Sequence, residues 1–82
     1  MPTVKMRYFA HARGPAGCAD EQLELPERVD VAVVRATLIA RHPALASVLP
    51  ICRIAHNLDF IDGVVAVRDG DELAVIPPVS GG

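Results

Sequence analysis

Aromatic residues are nearly missing from this chain, which has two Phe, one Tyr and no Trp among 82 residues. Hydrophobic residues still make up 51% of it, so a core has to be assembled from Val, Leu, Ile and Ala. That composition suits one small domain in which a sheet packs against a helix. Basic charge is also thin. Lys5 is the only lysine, the arginines are scattered, and the formal net charge is -2. Nucleic-acid binding needs a clustered basic face, and none is present. No apolar run is long enough for a signal peptide or a bilayer span, so a cytoplasmic protein without a membrane partner is expected. Cys18 and Cys52 form no CxxC, and a reduced pair is expected, with Cys52 packed in a strand and Cys18 on a mobile loop.

Conventional catalytic signals are lacking too. There is no P-loop, GxSxG, HExxH or dinucleotide fingerprint. His11, His42 and His56 have no metal-like spacing and read as solvent-facing or strand-packed. Asp69, Asp71 and Glu72 read as a polar hairpin turn and not as an acid/base pair. The expectation is therefore a chain that binds no metal and no cofactor of its own.

What is present is a clear alternation of strands around one helix. Residues 3–9 place Val4, Met6 and Tyr8 on one side and Lys5, Arg7 and Phe9 on the other. Arg13 to Gly17 reads as a loop. Residues 21–25 alternate again up to Pro26, which predicts a hairpin with a wide turn. Asp30 is the expected N-cap of a helix over 31–42, with Val31, Val34 and Leu38 on one face, Ile39 at its edge, and Pro43 as its stop. Residues 44–50 leave room for a short turn. Strands are expected over 51–56, 58–61, 64–67 and 73–76, with a tight turn at Asp69 to Glu72 built on Gly70. The predicted class is α+β, a mixed sheet of about four to five strands on one main helix in the β-grasp (ubiquitin-like) order, with order alone leaving other small α+β folds open. The domain is expected to span 1–76, with 77–82 as a flexible C-terminal tail.

That tail carries the chemistry. Pro77-Pro78 opposes helix and ladder pairing and favours an extended course. Gly81 and Gly82 lack Cβ atoms and suit a narrow enzyme channel. An α-carboxylate at Gly82 is anionic at neutral pH and is a nucleophile toward the α-phosphate of ATP. Adenylation makes it an acyl donor, which sulfide or a persulfide can attack to give a thiocarboxylate. Nothing in the sequence is built to hold ATP, so ATP is assigned to a separate activating enzyme.

The run from Asp69 through Leu73, Ile76, Pro77, Pro78, Val79 and Ser80 to Gly81-Gly82 resembles the C-terminal signature of molybdopterin synthase small subunits. Tyr8-Phe9-Ala10, Arg13 and Asn57 are similar to that family's pattern as well. Gly14-Pro15 and His56 depart from it, in places that bear on loops and partners and leave the tail untouched. The resemblance implies that Gly82 carries sulfur as a thiocarboxylate to cyclic pyranopterin monophosphate, in molybdenum cofactor biosynthesis. It implies two partners: a large catalytic subunit, in a heterotetramer, and a ubiquitin-activating-type adenylyltransferase. This chain would then be the non-catalytic, sulfur-carrying subunit of a transferase.

Strand parity alone puts Phe9 and Ile76 on the face away from the helix, and clustered exposed apolar groups mark partner sites. The resemblance adds Phe60, and the partner-binding set continues through Pro77, Pro78, Val79 and Ser80. Three alternatives stay open: a sulfur carrier for thiamine thiazole, cysteine or tRNA thiolation, a ubiquitin-like protein modifier, and a plain interaction domain.

Overall fold

The structure is a computed structural model, and residues 1–78 are described. Strand β1 (Thr3–Tyr8) alternates exposed and buried residues along its whole length, with Val4, Met6 and Tyr8 inward as the parity requires. It pairs antiparallel with β2 (Asp20–Glu24), Thr3 opposite Glu24 and Arg7 opposite Asp20. The connection between them is not the loop that the sequence predicts. It holds a 3-10 turn, Ala10–Ala12, and then one helical turn, α1 (Arg13–Ala16). Gly17, at φ 76°, ends that turn in the left-handed region where glycine carries no Cβ penalty. Arg13 Nε donates to the Tyr8 carbonyl at 3.0 Å and fastens the segment to β1.

Helix α2 (Val31–Arg41) begins where expected. The Asp30 side chain accepts from the Val33 amide at 2.9 Å, a cap of the kind that contributes about 1 kcal/mol. Val34 and Leu38 are fully buried, while Val31 and Ile39 pack at the margin. The helix closes at Arg41 with His42 as its C-cap, one residue earlier than the sequence predicts. Two 3-10 turns follow, Pro43–Ser47 and Leu49–Ile51, and they send Leu45 and Leu49 into the core. Ile51 therefore lies in a turn and not in a strand, and Cys52 is buried at the end of that turn. Cys18 is half-buried against the core.

Strands β4 (Arg53–His56) and β5 (Asp59–Phe60) form a tight hairpin. Strand β7 (Glu72–Ile76) lies between β4 and β1, antiparallel to the first and parallel to the second. The main sheet runs β2-β1-β7-β4-β5. A second ribbon, β3 (Arg28–Val29) with β6 (Val65–Ala66), was not anticipated at β3 because two residues carry no readable alternation.

The turn before β7 is held by several side chains at once. Gly70, at φ 85°, lets the chain double back, and its amide donates to the Thr3 carbonyl. Asp69 accepts from the Thr3 amide at 2.7 Å, and Asp71 accepts from the Arg68 amide and meets His56 Nε2. Hydrogen bonds from His56 first, and then from the Arg68 amide and Asn57, hold the Asp71 carboxyl down at about 2 from an ordinary 3.8. A depressed carboxyl stabilises the fold fully above its unfolded pKa and loses that contribution as the pH falls through the folded one. Urea unfolding of the wild type is therefore expected to lose stability between pH 3.8 and about 2 more steeply than Asp71→Asn does. Equal slopes for the two proteins would refute this assignment.

Candidate functional site

The face of the sheet away from α2 is built from alternate residues of four strands. Cross-strand partners share a face, so the register sets Arg7 beside Ala74, Ala74 beside Ala55, and Ala55 beside Phe60. One step along, Ile76 lies opposite Arg53, and the Phe9 amide donates to the Val75 carbonyl at 3.3 Å. Phe9, Phe60 and Ile76, the apolar residues singled out in the sequence, thus come to one face. Phe9 and Ile76 are half-buried, and Phe60 is 47% exposed.

Between Phe60 and Ile76 lies an apolar recess of about 130 Å³, lined by Ala55, Leu58, Phe60, Glu72, Ala74 and Ile76. Its depth comes from the alanines. Larger residues at 55 and 74 would fill the space that these methyl groups leave open. Ala55 is buried but stands apart from the main core cluster, as the floor of an outward-facing recess should. Charge surrounds the recess. The Arg53 guanidinium lies 3.6 Å from the Phe60 ring centroid, and the Arg7 guanidinium lies 5.1 Å from that of Phe9. Such stacking contributes about 0.5–1 kcal/mol at an exposed site and holds each ring's orientation. Arg7 also pairs with Glu72 at 3.0 Å.

Sequence reasoning missed Leu58, the most exposed large apolar side chain of this face at 94%. It sits in the β4–β5 turn with Asn57, both at positive φ, 48° for Asn57 and 75° for Leu58. Asn tolerates that conformation, whereas a leucine there is strained, and Asn-Gly is the usual solution for such a hairpin. Asn57 fits this position well, since its side chain also accepts from the Glu72 amide at 2.9 Å. The departure from Asn-Gly at 57–58 was the available signal.

Pro77 is buried and Pro78 exposed. Val79, Ser80, Gly81 and Gly82 lie outside the described residues.

On the helix side, at the edge of the sheet, is a second cluster of polar groups. Glu21 accepts from the Tyr8 hydroxyl at 2.6 Å and from Arg41 Nε at 2.6 Å, and it also meets His42 Nε2. Desolvation raises the Glu21 carboxyl, but the hydrogen bonds from Tyr8, Arg41 and His42 outweigh it and leave the group below its ordinary value. Burial, and then Glu21, push the Tyr8 phenol upward, so it stays neutral. His42 sits at the C-terminal end of α2, where the sequence places it, and its ring is engaged by Glu21.

A mixed sheet with β1 and β7 parallel at its centre and one main helix across one face defines an α+β protein of the ubiquitin-like β-grasp class. The model of the ThiS family matches residues 6–82. The molybdopterin synthase sulfur carrier subunit of Chlamydomonas reinhardtii is 41% identical, over 96% of this chain and 98% of that one. The human protein of the same name is 32% identical, over 96% and 93%. Among solved structures, SAMP1 from Haloferax volcanii superposes with a TM-score of 0.81 at 27% identity, covering 98% of this chain and 99% of that one. A complex of subunits 1 and 2 of the molybdopterin-converting factor from Helicobacter pylori contains a chain matched with a TM-score of 0.71 at 28% identity, over 98% and 99%. The chain belongs to the ThiS family, alongside the molybdopterin synthase sulfur carrier subunits.

Replacing Leu58 by glycine removes the positive-φ strain but adds conformational freedom to the unfolded chain. The expected net result in urea unfolding is a stability equal to the wild type or higher by up to about 1 kcal/mol. A loss of more than about 1 kcal/mol would mean that the Leu58 side chain supports the fold.

Proposed function

We propose that this chain is a sulfur carrier, the small subunit of a molybdopterin synthase, and that the carboxylate of Gly82 is the group it loads. The observation that carries this reading is the family match running through Gly81 and Gly82, over a chain that nearly spans its named relatives. In the proposed cycle the Gly82 carboxylate attacks the α-phosphate of ATP held by a ubiquitin-activating-type adenylyltransferase. Pyrophosphate leaves and an acyl adenylate forms. Hydrosulfide then displaces AMP to give the thiocarboxylate. A large catalytic subunit receives the loaded end, in a heterotetramer, and the sulfur passes to cyclic pyranopterin monophosphate. The chain itself binds neither ATP nor any other cofactor of this reaction, and the cycle is cytoplasmic.

In this scheme the outer sheet face is the docking surface. Its apolar recess and the Arg7 and Arg53 rim call for a partner surface with an apolar projection and carboxylates beside it. Phe9, Phe60 and Ile76 serve as anchors, with Pro78, Val79 and Ser80 continuing the contact toward Gly82. The structure of two molybdopterin-converting factor subunits in one complex supports a large-subunit partner.

A second reading is a protein modifier, which would spend the same activated Gly82 on target lysines. The likeness to SAMP1, named elsewhere as a small archaeal modifier protein, favours keeping it in view. Mass spectrometry separates the two. A carrier gains the mass of sulfur in place of oxygen, whereas a modifier appears as isopeptide conjugates.

Two outcomes test the carrier reading. Deleting Gly82 is expected to leave the folded spectrum unchanged while abolishing both the sulfur mass gain and synthase activity. Full activity from the deleted chain would sink the proposal. Ile76→Asp, with its fold verified, is expected to weaken binding to the adenylyltransferase and to the large subunit by about 2 kcal/mol or more each in calorimetry. Unchanged affinity for both would place the docking face elsewhere.

A further inference from the structure

Among the described residues, one group of soft and hard metal-ligating atoms comes together: Cys18, Glu21 and His42, whose ligand atoms all lie within 4.8 Å of one another. Nothing in the sulfur-carrier reading uses it. It lies on the helix side of the sheet, opposite the recess. Cys18 comes from the turn before β2, Glu21 from β2 itself, and His42 from the C-cap of α2. No spacing in the sequence announces the set, because its last two members stand 21 positions apart with a helix between them.

Part of the cluster has a plain structural task. Glu21 points to the helix side, since it pairs across the strands with buried Met6, and there it satisfies the Tyr8 hydroxyl. His42 stands edge-on to the Tyr8 ring with centroids 6.0 Å apart. The Cys18 thiol has no comparable task. It is half-buried, and its one hydrogen bond among the described residues is a 3.7 Å contact with the Ala16 carbonyl. Cys18, Glu21 and His42 are all intermediate in exposure, dry enough to strengthen a metal bond and open enough for an ion to enter.

We propose that Cys18, Glu21 and His42 form a three-ligand Zn²⁺ site with one coordination position left open. A thiolate, an imidazole and a carboxylate together select a borderline cation over Ca²⁺ or Mg²⁺. Zinc holds sulfur at about 2.3 Å and nitrogen or oxygen at about 2.0–2.2 Å, which puts tetrahedral ligands about 3.5 Å apart. Closing the present cluster to that size takes about 1 Å of movement. Cys18 is placed to supply it, because it follows Gly17 in a turn and hangs on no strand. The Asp20 and Glu21 carboxylates next to the thiol supply negative potential. Arg41, whose side chain is half-exposed, turns from Glu21 to solvent as the metal arrives. On binding, Cys18 gives up its thiol proton to solvent, and no oxidation or reduction takes place. The ion would tie the start of β2 to the end of α2.

The test uses the full chain, with Co²⁺ as a spectroscopic stand-in and Zn²⁺ in competition with a chromophoric chelator. One equivalent of Co²⁺ is expected to give a thiolate-to-metal charge-transfer band and tetrahedral visible bands, both removed by Zn²⁺. Cys18→Ser is expected to abolish the charge-transfer band and to lower Zn²⁺ affinity at least about tenfold, as is the affinity of His42→Gln. His56→Gln, which touches the separate His56–Asp71 pair, should leave both unchanged. Circular dichroism verifies that each variant is folded. No thiolate band from the folded wild type, or equal Zn²⁺ affinity in Cys18→Ser and wild type, would overturn the site.

Discussion

The parallel pairing of β1 with β7 is the contact on which the rest of the structure depends. It joins strands from opposite ends of the sequence, with Lys5 beside Glu72 and Tyr8 beside Val75. Met6, Tyr8, Leu73 and Val75 all point inward from this pair and are essentially inaccessible. Side chains alternate strictly along a strand, so a slip of one residue would drive Arg7 and Glu72 into an apolar core and expose Met6 and Leu73. Register is therefore set by burial as well as by hydrogen bonding. The turn before β7 adds a direct clamp, since Asp69 and Gly70 bond both backbone groups of Thr3.

Once that pair is fixed, β2 and β4 can only add at its two sides, and the two faces of the sheet take on separate tasks. The inner face, with Val34 and Leu38 of α2, carries the hydrophobic stabilisation. The outer face gives up stability for shape. Ala55 and Ala74 forgo the burial that larger residues would contribute, Phe60 stands half-exposed, and Leu58 accepts a backbone conformation that disfavours it. Strain together with an exposed apolar side chain has little to recommend it in a lone domain. Both fit the docking role proposed for this face.

Strand alternation made β1, β2 and β7 legible in the sequence, and the Asp30 cap and Pro43 stop did the same for α2. The bounds shifted by a residue or two, because helix ends and strand ends are settled by tertiary contacts. What stayed hidden was either too short or too distant. The β3–β6 ribbon has two residues a side, and α1 is a single turn whose glycine and proline read as loop. Phe9 and Ile76 were placed on the outer face by parity. Leu58 was overlooked, because its importance lies in a positive φ that only the folded turn reveals. The Cys18–Glu21–His42 cluster is the extreme case, assembled by strand pairing and helix docking together.

The location of the recess also bears on delivery. Ile76 lines it, and Pro77, the next residue, is buried. Pro77 has no amide proton, so it ends the β7 ladder at the same place in every molecule. A partner gripping the outer face through Ile76 therefore also fixes the point from which the chain leaves the domain. Gly82 lies four positions beyond Pro78, a span of at most about 14 Å at about 3.5 Å per residue. For a carrier working through Gly82, the partner's reactive centre must then lie within that radius of Pro78. In that proposed reading, docking turns sulfur delivery into an intramolecular encounter. In the proposed carrier reading, this fold supplies a fixed origin for the end that carries Gly82 and a surface that orients it.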